Sequence, residues 1–117
     1  KEGYKKNFVI IDAAMNDLLR PALYNAKHLI IPGIKKVRKI NKIYEFVGPI
    51  CESTDKFLSI KKFQKLNEDE LVIICDVGAY GMSLSSNYNL RPKPAEILIK
   101  NFKVKIISKR QSLNELM

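Results

Sequence analysis

Residues 43–57, IYEFVGPICESTDKF, set a strand against an abrupt stop. Ile43–Val47 is a run of β-branched and aromatic residues suited to a sheet. Gly48-Pro49 ends it, because proline offers no N–H to a ladder and glycine permits a sharp turn. A thiol, a carboxylate, two hydroxyls and a second carboxylate then follow in sequence: Cys51, Glu52, Ser53, Thr54, Asp55. Such a density of reactive groups at a strand end is where a rigid scaffold presents chemistry. The same residues, taken alone, also fit a hydrogen-bonded polar turn.

Upstream, Phe8–Ile11 is apolar and β-branched and predicts a buried strand ending at Asp12. In Ala13–Ala26, Met15, Leu18, Leu19, Ala22 and Leu23 recur at helical spacing, with Asn16 or Asp17 able to cap. Pro21 fits only near a first helical turn, so two short turns are expected rather than one helix. Arg20 and Tyr24 lie four apart, on one face of such a turn; read structurally, Arg20 would pair with Asp17 and Tyr24 would half-bury its ring. His28–Ile34 predicts a second strand closed by Pro32-Gly33, and Lys39–Val47 a third. His28 is the sole histidine, so no histidine-rich metal site or Ser/His/Asp triad has candidates elsewhere, and no metal is expected.

Downstream, Phe57–Leu66 reads as a weak strand or turn, Asn67–Glu70 as a charged turn, and Leu71–Asp76 as the clearest buried strand. Cys75, inside it, behaves as a small hydrophobe. In Val77–Asn89, VGAYGMSLSSNYN, Gly78 and Gly81 bracket Ala79-Tyr80 and predict positive φ and close backbone approach around an aromatic hydroxyl. Met82–Tyr88 suits one polar helical turn, and Arg91–Pro94 an extended connector. Ala95–Lys100 and Val104–Ile107 form a hairpin around Asn101. Gln111–Met117 is a short amphipathic end with Ser112 as N-cap. Short strands, few helices and no βαβ rhythm indicate a mainly β fold, an antiparallel or mixed barrel or sandwich with short helices.

The 117 residues make one domain, and 46% hydrophobic content implies a packed core rather than disorder. No apolar run is long enough to cross a bilayer, and no signal peptide is evident, so no membrane partner is expected. Beginning at Lys1, the chain reads as a piece of something longer. Two cysteines, Cys51 and Cys75, make no disulfide framework and point to a reducing cytoplasm. The net charge of +9 fits either a nucleic-acid-binding surface or the lysine, isoleucine and asparagine bias of an AT-rich genome. Lys35, Lys36, Arg38, Lys39 and Lys42 form the densest basic cluster, read as one hairpin edge, where lysine discourages edge-to-edge aggregation. An oligonucleotide-binding barrel is the rival from another class, but it needs aromatics interleaved with lysines. Apart from Tyr44 the lysine clusters lack them, so no nucleic-acid partner is expected.

Four motifs stand in order: LLRPALY at Leu18–Tyr24, GPICESTD at Gly48–Asp55, DVGAYGMSLSSNYN at Asp76–Asn89 and RPKPAEIL at Arg91–Leu98. In that order the chain resembles the C-terminal half of the diaminopimelate decarboxylases, over roughly Phe8 to Arg110. The ornithine and arginine decarboxylases share the general layout, but Cys51-Glu52 together with Ser85–Asn89 looks more like the diaminopimelate branch. The resemblance implies a bacterial, homodimeric pyridoxal-phosphate enzyme of the alanine-racemase-like class that makes L-lysine from meso-diaminopimelate. It also implies an N-terminal (β/α)₈ barrel carrying the cofactor, followed by a β-barrel domain spanning residues 1–117; none of the lysines here occupies the family's Schiff-base position. By the same resemblance Cys51 is the proton donor, Arg20, Tyr24 and Glu52 bind substrate, and Tyr80 touches both cofactor and substrate. Cys51 and Glu52 would reach into the partner subunit's site.

The implied roles suit the residue types. Pyridoxal phosphate acts as the electron sink when CO₂ leaves, so the protein supplies orientation and a proton. An ordinary thiol, with a pKa of about 8.5, is mostly protonated at neutral pH and can serve as that acid. A guanidinium fork at Arg20 matches the substrate's distal carboxylate, Tyr24 adds a hydroxyl, and Glu52 pairs the distal ammonium.

Overall fold

The computed structural model describes residues 1, 3, 5–37 and 41–117. In chain order its strands are β1 (Lys6–Ile10), β2 (Ile30–Pro32), β3 (Ile43–Val47), β4 (Lys56–Lys61), β5 (Val72–Ile74), β6 (Glu96–Lys100) and β7 (Lys103–Ser108). Two short helices, α1 (Arg20–Tyr24) and α2 (Gly78–Gly81), stand between strands. The fold is mainly β, with mixed and antiparallel sheets and short helices, as the sequence implies.

Tyr44, Glu45 and Phe46 are buried in succession, because β3 has a neighbour on each edge. β1 pairs with it in parallel and β4 antiparallel, in the order β1-β3-β4. Tyr44 and Phe46 pack with Leu18, Ile30, Phe57 and Phe63 to form the core. Phe63 stands edge-on to Phe46, with ring centroids 5.3 Å apart and planes at 77°, a favoured aromatic arrangement. Glu45, one residue out of phase, points to the opposite face of the sheet. There it pairs with Lys6 of β1 and, at 2.7 Å, Lys56 of β4. Burial alone would raise its carboxyl, but the hydrogen bonds from Lys56 and Lys6 outweigh it and hold the pKa below the ordinary carboxylate value.

β2 and β5 form a separate antiparallel pair, as do β6 and β7. No sheet among the described residues closes into a barrel. Two strands expected to be buried are also more open than their composition suggests. β1 is an edge strand, with Ile10 exposed, and β5 has one partner only, so Ile73 faces out while Val72 and Ile74 meet the core. The expected third strand begins at Lys39, which with Arg38 and Ile40 lies outside the described residues; the described strand starts at Ile43.

The segment Ala13–Ala26 does divide into two short turns. Leu18 N donates to the Ala14 carbonyl, and α1 follows with buried Pro21 in its first turn and left-handed Asn25 at its end. Gly78 and Gly81 do not take the positive φ expected of them. The Gly81 N–H instead closes a helical turn on the Val77 carbonyl, and Asp76, at φ 58°, makes the left-handed reversal after β5. The last hairpin forms where expected, turning on Asn101 and Phe102 with both residues at positive φ, as a tight two-residue hairpin turn requires. At the C-terminal end the Glu115 carboxylate accepts from the Ser112 backbone and hydroxyl, the expected cap. No helix among the described residues is long and apolar enough to cross a membrane.

Candidate functional site

The turn after β3 is built on a buried carboxylate. Asp55, 3% exposed, accepts the Ile50 N–H on Oδ2 and the Met15 N–H on Oδ1, each at 2.8 Å. Gly48 N donates to the Asp55 carbonyl at 3.0 Å, so the chain folds back tightly over its own side chain. A Cβ on Gly48 would sit 2.2 Å from Asp55 Oδ2, which leaves room only for glycine. Asp55 is thus a scaffold residue rather than a reactive one. With its carboxylate drawn inward, Cys51, Glu52, Ser53 and Thr54 are all exposed. Cys51 carries a free thiol.

A second group forms around Arg20. Helical spacing places Tyr24 on the same face of α1, and α2 brings in Tyr80 from a distant part of the chain. The guanidinium carbon of Arg20 lies 5.7 Å from the Tyr24 ring centre and 5.2 Å from that of Tyr80, within cation–π range of both. Arg20 does not take up the pairing with Asp17 that a purely structural role would give it. Asp17 Oδ2 instead accepts the Ala14 N–H at 2.9 Å and lies 3.8 Å from Arg91 Nη2. No carboxylate among the described residues is paired with Arg20 within salt-bridge distance. Tyr24 and Tyr80 are exposed, so the arrangement presents a cation framed by two phenols to the outside.

Residues 86–91 are tied to the segment before α1. Ser86 N donates to the Asn16 carbonyl at 2.9 Å, Arg91 Nε donates to Asn16 Oδ1 at 3.0 Å, and Arg91 Nη2 donates to the Asp12 carbonyl at 2.5 Å. From this anchored stretch the Tyr88 hydroxyl reaches Glu52 Oε1, donating at 2.5 Å. That hydrogen bond, and then the charge of Glu52, push the Tyr88 hydroxyl above its ordinary pKa. Met15, Asn16, Leu19, Ser86 and Tyr88 line a shallow hollow of about 260 Å³ beside it. Thr54 Oγ1 meets Met15 Sδ at 3.8 Å on the same side.

The residues read from sequence as site candidates therefore fall into two groups. Arg20, Tyr24 and Tyr80 form one; Cys51 and Glu52 form the other, with Tyr88. Both adjoin the segment 15–20. Larger hollows of about 370 and 390 Å³ run along β1 and residues 65–72 and contain none of these side chains. The sequence offered Asp55 only as a member of a hydrogen-bonded polar turn, and it pointed neither to Arg91 as a tie nor to Tyr88 as the partner of Glu52. The signal for Asp55 was present in Gly48, whose missing Cβ makes space for it. No spacing rule links Tyr88 to Glu52 or Arg91 to Asn16. Among the described residues no cluster of three or more metal-ligating side chains occurs.

The family model described as pyridoxal-dependent decarboxylase, C-terminal sheet domain, matches residues 1–78. The diaminopimelate decarboxylase of Aquifex aeolicus is 44% identical over 112 residues, covering 96% of this chain and 26% of that protein. That of Helicobacter pylori is 44% identical over 117 residues, covering 99% of this chain and 29% of its own. Among solved structures, diaminopimelate decarboxylase from M. jannaschii in complex with L-lysine superposes with a TM-score of 0.92 at 38% identity, over 99% of this chain and 26% of that one. The chain spans less than a third of the length of these relatives.

Proposed function

The chain belongs to the pyridoxal-dependent decarboxylases, as their C-terminal sheet domain, and from that premise we propose that it completes the active site of a diaminopimelate decarboxylase. The whole enzyme would remove CO₂ from meso-2,6-diaminopimelate to give L-lysine in the cytoplasm, working as a homodimer. An N-terminal (β/α)₈ barrel outside this chain would hold the pyridoxal phosphate. The residues here suit an accessory part in holding it. Tyr80, exposed and with its ring beside the Arg20 guanidinium, fits a contact with an aromatic cofactor presented from outside. When bound, that cofactor supplies the electron sink for loss of CO₂.

In the homodimer each copy would give Arg20, Tyr24 and Tyr80 to its own pocket and Cys51 and Glu52 to the partner subunit's, so that each pocket draws on both copies. Arg20 takes the distal carboxylate of the substrate, since its planar fork binds a carboxylate through two parallel hydrogen bonds. The phenols of Tyr24 and Tyr80 frame the guanidinium and limit where that carboxylate can sit. Glu52 takes the distal ammonium. Cys51, exposed on a turn whose backbone is bonded to Asp55, delivers its thiol proton to the α-carbon from which CO₂ has departed. Closing the exposed turn against a partner subunit would exclude water from the transfer.

One observation carries the reading: Tyr24 on α1 and Tyr80 on α2, far apart in sequence, converge on the Arg20 guanidinium, and no carboxylate of the described residues is paired to it. The test is Arg20→Lys in the full-length enzyme. An ammonium keeps the charge but loses the bidentate geometry, so KM for diaminopimelate should rise roughly 10- to 100-fold, with kcat changing far less. An unchanged KM contradicts the assignment.

A further inference from the structure

Glu52 is exposed on a turn whose backbone is fixed but whose glutamate side chain has three rotatable bonds. Its N–H donates to the Ile50 carbonyl at 2.8 Å, and its own carbonyl accepts the Asp55 N–H at 3.1 Å. Neither contact aims the carboxylate. The side-chain contact that the structure gives it is Tyr88, whose hydroxyl donates to Oε1 at 2.5 Å. Tyr88 is itself well placed to hold a direction. Its N–H donates to Ser86 Oγ at 3.3 Å, and its carbonyl accepts the Arg91 N–H at 3.4 Å. The Asn87 side chain, next to it, donates to the Arg91 carbonyl at 2.9 Å and to Gln111 Oε1 at 2.6 Å. Through Ser86, Asn16 and Arg91 this stretch is bonded to the same 12–17 segment whose Met15 N–H is held by Asp55. The phenol and the carboxylate are thus carried by two turns braced on one piece of backbone.

We propose that Tyr88 is the positioning residue for Glu52: its hydroxyl fixes one carboxylate oxygen so that the remaining acceptor sites face the distal ammonium of the substrate. This rests on Glu52 binding that ammonium, as proposed above. An ionised carboxylate has about four lone-pair sites, so one phenol donor leaves ample capacity for an ammonium. Tyrosine suits the task because its ring is stiff and its hydroxyl serves as a donor across the working pH range, the hydrogen bond to Glu52 having moved its titration upward. Tyr88 touches neither the α-carbon nor the departing CO₂ in this scheme. Its loss therefore weakens the binding of the substrate's far end and leaves the chemical step alone.

The experiment is a double-mutant cycle in the full-length holoenzyme with Tyr88→Phe, Glu52→Gln and the pair, measuring KM and kcat for meso-diaminopimelate and the melting temperature of each. Phenylalanine keeps the ring and removes only the donor. Tyr88→Phe should raise KM about 3- to 30-fold with kcat within about two-fold, less than the roughly 10- to 150-fold that a hydrogen bond to a charged group is worth, because the phenol acts on the substrate only through Glu52. Glu52→Gln should raise KM at least as much, and adding Tyr88→Phe to it should change KM by less than about two-fold. A raised KM in Glu52→Gln with none in Tyr88→Phe overturns the role of Tyr88 and leaves that of Glu52 standing. Normal KM in Glu52→Gln overturns the ammonium assignment and this proposal with it. Additive effects, or a lowered melting temperature with kcat and KM both impaired, would make Tyr88 a structural residue and overturn the proposal as well.

Discussion

The turn at Gly48–Asp55 and the hairpin of β6 and β7 both stand at the surface, and they are opposite in kind. In the turn the exposed side chains are polar and the backbone beneath them is bonded to a buried carboxylate. In the hairpin, Ile97 and Ile99 lie directly across from Ile106 and Val104, so one face is wholly aliphatic. All four are more than half exposed, and no described element covers them. On the other face Lys100 stands opposite Lys103, a like-charge pair that weakens the strands' association. A two-stranded hairpin without cover is marginal in water. The precision of this domain therefore resides in polar groups braced on the β1-β3-β4 sheet, not in the apolar strands that follow.

Removing the brace should have the largest effect on stability. Asp55→Ala strands the N–H groups of Met15 and Ile50, at about 1–3 kcal/mol for each buried donor left unpaired. Chemical denaturation of the chain should therefore show a loss of roughly 2–6 kcal/mol, and a loss under half a kcal/mol would mean that Asp55 is not the brace.

Acid should loosen the same sheet from its other face. The Glu45 pKa lies below its ordinary value, so its pairing with Lys56 and Lys6 contributes stability above about pH 4.3 that is lost as pH falls through the depressed value. Glu45→Gln should flatten that part of the stability–pH curve; an unchanged acid limb would contradict it.

The gentlest probe is amide hydrogen exchange, which perturbs nothing. Amides of β3 should be the most protected and those of β6 and β7 among the least. Equal protection would erase the contrast between the two regions.

Much of this was legible in the sequence, for reasons that differ by region. The ends of β3 and α1 and the turn at Asn101 follow from Pro, Asn and Gly chemistry acting over a few residues. The cap at Ser112 and Glu115 is equally local. The parallel pairing of β1 with β3 is not local, and neither is the burial of β5, because edge or centre position depends on which distant strand arrives. Closure into a barrel is lost from view for the same reason. The role of Asp55 stayed open in the sequence because a carboxylate after a strand reads alike whether it reacts or braces; the close approach to Gly48 tells them apart. The glycines around Tyr80 misled because Asp76 could make the left-handed turn in their place. That Arg20 and Tyr24 share a face was legible in their spacing, whereas the approach of Tyr80 to Arg20 and the contact of Tyr88 with Glu52 needed coordinates.

The proposed chemistry turns on Cys51, the exposed thiol that the braced turn presents. Single-turnover and steady-state kinetics of Cys51→Ala in the full-length enzyme test it directly. Turnover should fall on the order of 10²–10⁴-fold, the usual size for a general acid, with KM little changed. Turnover within a few-fold of wild type would show that the proton comes from elsewhere.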